Sequence, residues 1–239
     1  MKKKLVTGAL LCAFGAVAVT GGTLAYFSDT DAETNTFTTG NVAIDLLEEF
    51  EQGAKLLPAT GSAQNGTLEN GVKKEVSVKN TGSEDAYVRV HIAIPNVLDD
   101  GSTDFDAGKN VLHFNYAPNT IGVDKWDWSN ATGAPYEGQW NYYEKTIDGI
   151  AYNVYVVTHE KALAKDEVTG NAMHQVYLDS KVTNEDINGI IEALGEKWEI
   201  KVVAEGTQAA GFDNAYEALN TAFGTPGSYD IEWPKAPQE

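Results

Sequence analysis

Apolar and polar positions fall into three regimes along this chain. Leu5–Val19 is an unbroken apolar run behind Lys2, Lys3 and Lys4. Tyr26–Gly40 is polar, rich in Thr, Asp and Asn, with aromatics only at Tyr26, Phe27 and Phe37. Beyond it come short alternating segments separated by turn residues. Val42–Leu46 alternates and predicts a first strand. Residues 52–70, with Gly53, Pro58, Gly61, Gly66 and Asn70, predict a loop. Val72–Lys79 predicts a strand with Val76 and Val78 inward. Tyr87–Ile94 is the clearest strand: Val88, Val90, Ile92 and Ile94 share one face, Tyr87, Arg89 and His91 the other. Pro95 ends it, because proline cannot donate to a ladder.

Residues 99–110 form an acidic loop, and Val111–Tyr116 predicts a further strand. Trp126, Trp128, Trp140, Tyr142 and Tyr143 crowd the next stretch. Ile147-Asp148-Gly149-Ile150 carries the Asp-Gly pair of a two-residue hairpin, with Ala151–Thr158 as its second arm. Gln175–Val182 and Lys197–Glu205 predict two more strands. Asn184–Leu194 predicts a helix capped by Asn184, with Ile187, Ile190, Ile191 and Leu194 on one face. Asp213–Phe223 predicts a second, capped by Asp213 and closed by Gly224. About eight short strands with turns between them, plus one or two short helices, predict an all-β, antiparallel β-sandwich. It spans residues 41–225, and the proline-bearing residues 226–239 form an extended tail.

The amino end has the layout of a secretory signal: a basic start, an apolar stretch, and small residues before a cut. Thr23 and Ala25 fit the small-x-small rule, which places the cut after Ala25 and makes Tyr26 the new terminus. Residues 1–25 are then the signal peptide and residues 26–40 an exposed arm. The protein is expected to be secreted and to leave the membrane on cleavage. The apolar run is short for a span of about twenty residues.

Charge narrows the partners. The chain has 17 basic and 35 acidic side chains, and loss of the three signal lysines leaves 14 against 35. Such a balance disfavours nucleic acid and anionic lipid as partners. The single cysteine, Cys12, lies inside the apolar run, so the processed chain has no thiol or disulfide chemistry.

Candidate chemistry is sparse. A zincin needs two histidines four apart on a helix with a glutamate beside the first. The four histidines are His91, His113, His159 and His174, and Leu163 stands where His159-Glu160 would need its partner. The expectation is strand-surface or loop histidines, not ligands, and no enzyme. There is no Gly-x-Ser-x-Gly and no phosphate-cradling loop. Residues 99–106 offer clustered oxygens suited to calcium, without the EF-hand register, and read as a solvated loop. No cofactor is expected. Leu57-Pro58-Ala59-Thr60-Gly61 matches a sortase pentapeptide in letters, but not in its place near a carboxyl end. The aromatic cluster reads as packing, with a sugar platform as the alternative.

Residues 21–30, GGTLAYFSDT, with Asn35–Gly40 behind them, resemble the amino terminus of TasA/camelysin-type proteins. Lys74–Ser83 with Ala86–Val90, and more weakly Glu199–Glu205, extend the resemblance. It implies processing by a SipW-like signal peptidase, a jelly-roll form of the sandwich, and assembly into biofilm matrix fibres. It also brings in camelysin-like metalloprotease activity as an alternative, beside a non-polymerising adhesin. The arm suggests a mechanism of its own. Sheet edges expose unpaired backbone groups that template another chain. An arm adding to the next subunit's sheet gives a head-to-tail self-polymer by donor-strand complementation, with Tyr26, Phe27 and Phe37 as candidate anchors.

Overall fold

The computed structural model describes residues 40–51, 54–61, 68–99, 111–116, 126–127, 142–195 and 198–235. Nine strands and two helices are set within them: β1 (Ile44–Phe50), β2 (Val72–Asn80), β3 (Ala86–Pro95), β4 (Leu112–Tyr116), β5 (Trp126–Asp127), β6 (Tyr142–Ile147), β7 (Ile150–His159), β8 (Met173–Leu178), α1 (Asn184–Leu194), β9 (Lys201–Gln208) and α2 (Ala215–Phe223). All the strand pairs are antiparallel.

One sheet has the order β1-β2-β8-β4. The other has β7-β3-β9, with β5 and β6 both pairing β7 on its far side. The chain changes sheet from β2 to β3 and again from β7 to β8. The β2–β3 ribbon therefore lies beside the β8–β7 ribbon, which is the wrapping of a jelly roll. Between the sheets sits one core. Val76 and Val78 of β2, Met173 and Val176 of β8, and Val88, Val90, Ile92 and Ile94 of β3 are all buried there.

The alternation of β3 puts its four branched residues inward, as the sequence predicts. Its other face is not exposed: Arg89 and His91 are also buried, because α2 and the chain after it cover that side. The Asp148-Gly149 hairpin forms as expected, both residues having positive φ (52° and 85°), the requirement of a type I′ turn.

Boundaries shift where hydrogen bonding outweighs pattern. The first strand starts at Ile44 and runs on to Phe50, because β2 offers partners as far as Lys74. Ala43 instead accepts from the Thr81 and Gly82 N–H groups, and Asn41 from those of Ser83 and Glu84. The strand predicted over residues 175–182 occupies 173–178. It stops where the Asp179 carboxylate accepts the Lys181 N–H at 2.7 Å. The strand predicted over 197–205 runs from Lys201 to Gln208.

Both helices are one residue off in their caps. Thr183, not Asn184, caps α1: its hydroxyl accepts the Asp186 N–H while the Asp186 carboxylate accepts the Thr183 N–H, a capping box. Asn214, not Asp213, caps α2 by accepting the Glu217 N–H at 2.9 Å, and Gly224 closes it.

Candidate functional site

Two edge strands meet along one flank of the sandwich. Among the described residues β1 is an edge strand of its sheet, paired only with β2, and β9 an edge strand of the other, paired only with β3. They approach closely at Gly206, where a Cβ would fall 2.8 Å from the Ile44 side chain. Further along, they part around an open groove of about 570 Å³. Leu46 lines one wall and Val202, Val203 and Ala204 the other, while Trp233 and Pro234 of the tail close its side. Both strands keep backbone groups that their own sheets leave unpaired, and the lining is mainly apolar.

The outer face of β3 holds a buried polar cluster centred on Arg89, His91 and Glu205. The Arg89 guanidinium donates to Glu205 at 2.6 Å, to Asn220 at 2.9 Å, to the Gly224 carbonyl at 3.1 Å and to the Tyr229 hydroxyl at 2.6 Å. His91 Nε2 lies 3.0 Å from Glu205, and the Tyr229 hydroxyl donates to the same carboxylate at 2.8 Å. Burial lowers the His91 pKa, and its neutral form can donate Nε2–H. Burial pushes Glu205 up, but the hydrogen bonds and charges of His91 and Arg89 outweigh it and hold the carboxyl at about 2. Arg89 thus joins β3, β9, the end of α2 and the tail. The cation also suits a helix carboxyl end, where carbonyls lack partners. The geometry is that of a structural clamp, with four of the five guanidinium N–H donors engaged inside the protein.

The other histidines are separate from it and from each other. His113 Nε2 lies 2.7 Å from the Asp179 carboxylate. His159 Nδ1 lies 2.6 Å from the Lys161 carbonyl. His174 sits half-buried on β8. The surface or loop placement expected from the sequence is thus corrected for His91, His113 and His159, which are buried within the sandwich. Leu163, four residues after His159 in sequence, is buried and paired with Ala86. Among the described residues no group of three or more His, Cys, Asp or Glu is placed to hold a metal ion.

Trp126 is buried, donates Nε1–H to the Gly170 carbonyl at 2.9 Å, and meets the His159 ring edge-on. Tyr142 packs against Tyr155 with ring centroids 5.4 Å apart. These rings are used in packing, while Trp128 and Trp140 lie outside the described residues. In the pentapeptide 57–61, Leu57 is exposed, but Ala59 is buried and donates its N–H to the Leu178 carbonyl at 2.9 Å. Thr60 pairs with Glu69, so the segment is tied to the sandwich. Asp99, first of the acidic loop, is buried and accepts from Tyr155 at 2.6 Å and from Asn153; the rest of residues 99–106 lies outside the described residues. So do the processing residues Thr23, Ala25 and Tyr26 and the arm anchors Phe27 and Phe37.

The β1–β9 groove was not legible in the sequence. Both strands were recognised there, but their adjacency depends on the wrapping of the two ribbons. The only local sign is Gly206, which permits the close approach to Ile44.

A family model described as camelysin metallo-endopeptidase matches residues 1–85. In the described part, that match takes in β1, β2 and the turn leading to β3. No curated protein matches the chain.

Proposed function

The match over residues 1–85 supports membership of the TasA/camelysin family, and on that premise we propose that this protein is a secreted structural subunit of extracellular biofilm matrix fibres. In this reading a SipW-like signal peptidase cuts after Ala25 and frees the arm from Tyr26 to Gly40. The arm then completes the sheet of another copy, and the same contact repeated without closure gives a head-to-tail filament. Before cleavage the arm is tied to the apolar segment Leu5–Val19, so assembly waits for export. The observation that carries this reading is a two-sheet sandwich with free edge strands, preceded by a patterned arm.

A camelysin-like metalloprotease is a second reading, favoured by the description of the matching family. The separate side-chain partners of His91, His113 and His159 speak for the structural role. The adhesin alternative draws less support, since Trp126 is turned inward. Self-association and proteolysis are separated in one preparation. The chain starting at Tyr26 is followed by sedimentation and for casein cleavage, with and without a chelator. The fibre reading expects large species that persist in chelator and no casein cleavage. Chelator-sensitive cleavage by a monomer would replace it with the protease.

A further inference from the structure

We infer that the groove between β1 and β9 is the acceptor site for the arm, residues 26–39, of a second copy of this chain, which pairs with the free edge of β9. This rests on the fibre reading and names the edge that receives the strand. Among the described residues β9 pairs only with β3, so its other edge has N–H and C=O groups available to an extended peptide. The apolar walls, Leu46 on β1 and Val202 and Ala204 on β9, accept alternate side chains of such a strand. Fourteen residues separate Tyr26 from Thr39 inclusively. At about 3.3 Å each they reach about 46 Å, against about 26 Å for the eight residues of β9. The arm can therefore cover the whole edge and keep about six residues to bridge between subunits.

The path of residues 41–43 favours a second copy over the arm's own subunit. Asn41 and Ala43 hydrogen-bond to the turn at Thr81–Glu84, which carries the chain onward from the start of β1, past the closed end of the groove at Ile44 and Gly206. To enter its own groove the arm would have to reverse immediately before Asn41.

Disulfide trapping tests this directly, because Cys12 is the only cysteine and the chain from Tyr26 has none. Val203→Cys on β9 is combined with single cysteines stepped through the arm from Thr30 to Thr38. Glu144→Cys, on β6 at the opposite flank of the same sheet, is the control. The inference expects arm–Val203→Cys pairs to give a ladder of covalent multimers on non-reducing gels, and Glu144→Cys pairs to give none. Filaments that cross-link through Glu144→Cys but not Val203→Cys would overturn the acceptor edge and leave the fibre reading standing. A cross-linked monomer would show the arm folded into its own groove, and would overturn the second copy. If the parent chain forms no filaments, the fibre reading falls and this site with it.

Discussion

Glu205 gathers a guanidinium, an imidazole and a phenol on one carboxylate, and that concentration has measurable consequences. Arg89 is 1 % exposed, so Arg89→Met removes a buried charge and leaves Glu205 without its main counter-ion. The expected loss is about 3 to 5 kcal/mol, read by urea denaturation. The cluster also sets the acid limit of the fold. Glu205 has a folded pKa below its ordinary value, so its stabilisation is complete above about 4.5 and is lost as pH falls toward about 2. His91 is held below its ordinary 6.5 by burial. Below that pH the unfolded chain takes up a proton that the folded chain refuses, which again weakens the fold. Both effects have the same sign. Urea midpoints are expected to fall steadily from pH 7 to pH 3, with a shallower decline in His91→Gln; equal midpoints at pH 7 and pH 4 would contradict this.

Lys74 behaves in the opposite way. Its side chain faces inward beside the Glu48 carboxylate and the Phe50 ring, and burial lowers its pKa to about 8. The charged amine is disfavoured there. Lys74→Met is therefore expected to raise stability by about 1 kcal/mol at pH 7, since Glu48 remains one-third exposed and solvated. A urea midpoint below that of the parent would count against this account.

At the scale of elements, the turn between β2 and β3 has the tightest tolerance. A Cβ on Gly82 would lie 2.5 Å from the Asn41 carbonyl and 2.7 Å from the Ala43 nitrogen, both backbone atoms that cannot swing aside. Gly82→Ala is expected to displace residues 41–43 and cost about 1 to 3 kcal/mol, with weaker polymerisation because the arm then leaves its domain along a different path. Thermal unfolding and sedimentation check the two parts. Thr183→Ala removes the capping box of α1 and should cost about 1 kcal/mol, with no effect on assembly.

These elements also mark the reach of sequence reading. The period-2 pattern of β3 and the Asp148-Gly149 turn are local, and each was legible because a few adjacent residues dictate it. Thr183 and Asn214 were missed as caps because each adjoins another residue able to cap. The choice depends on backbone angles before the helix, which periodicity does not report. The polar face of β3 was legible as a face. Its cover was not, since Asn220, Gly224 and Tyr229 reach Arg89 from more than 130 residues away in sequence. The expected surface position of His91 failed for the same long-range reason.

At the scale of the molecule, the sandwich joins two features that sequence order keeps apart: β1, next to the arm, and β9, late in the chain. Their proximity places the exit of one arm near the proposed entrance for another, a heterologous contact that need not close on itself. The excess of acidic side chains adds repulsion between subunits, so filaments are expected to form faster as salt rises toward 0.5 M and screens it, followed by light scattering. The central claim is that the arm polymerises the protein. Negative-stain microscopy of the chain starting at Tyr26, beside one starting at Gly40, tests it most directly. The account predicts filaments from the first and dispersed monomers from the second; filaments of the same form from both would contradict it.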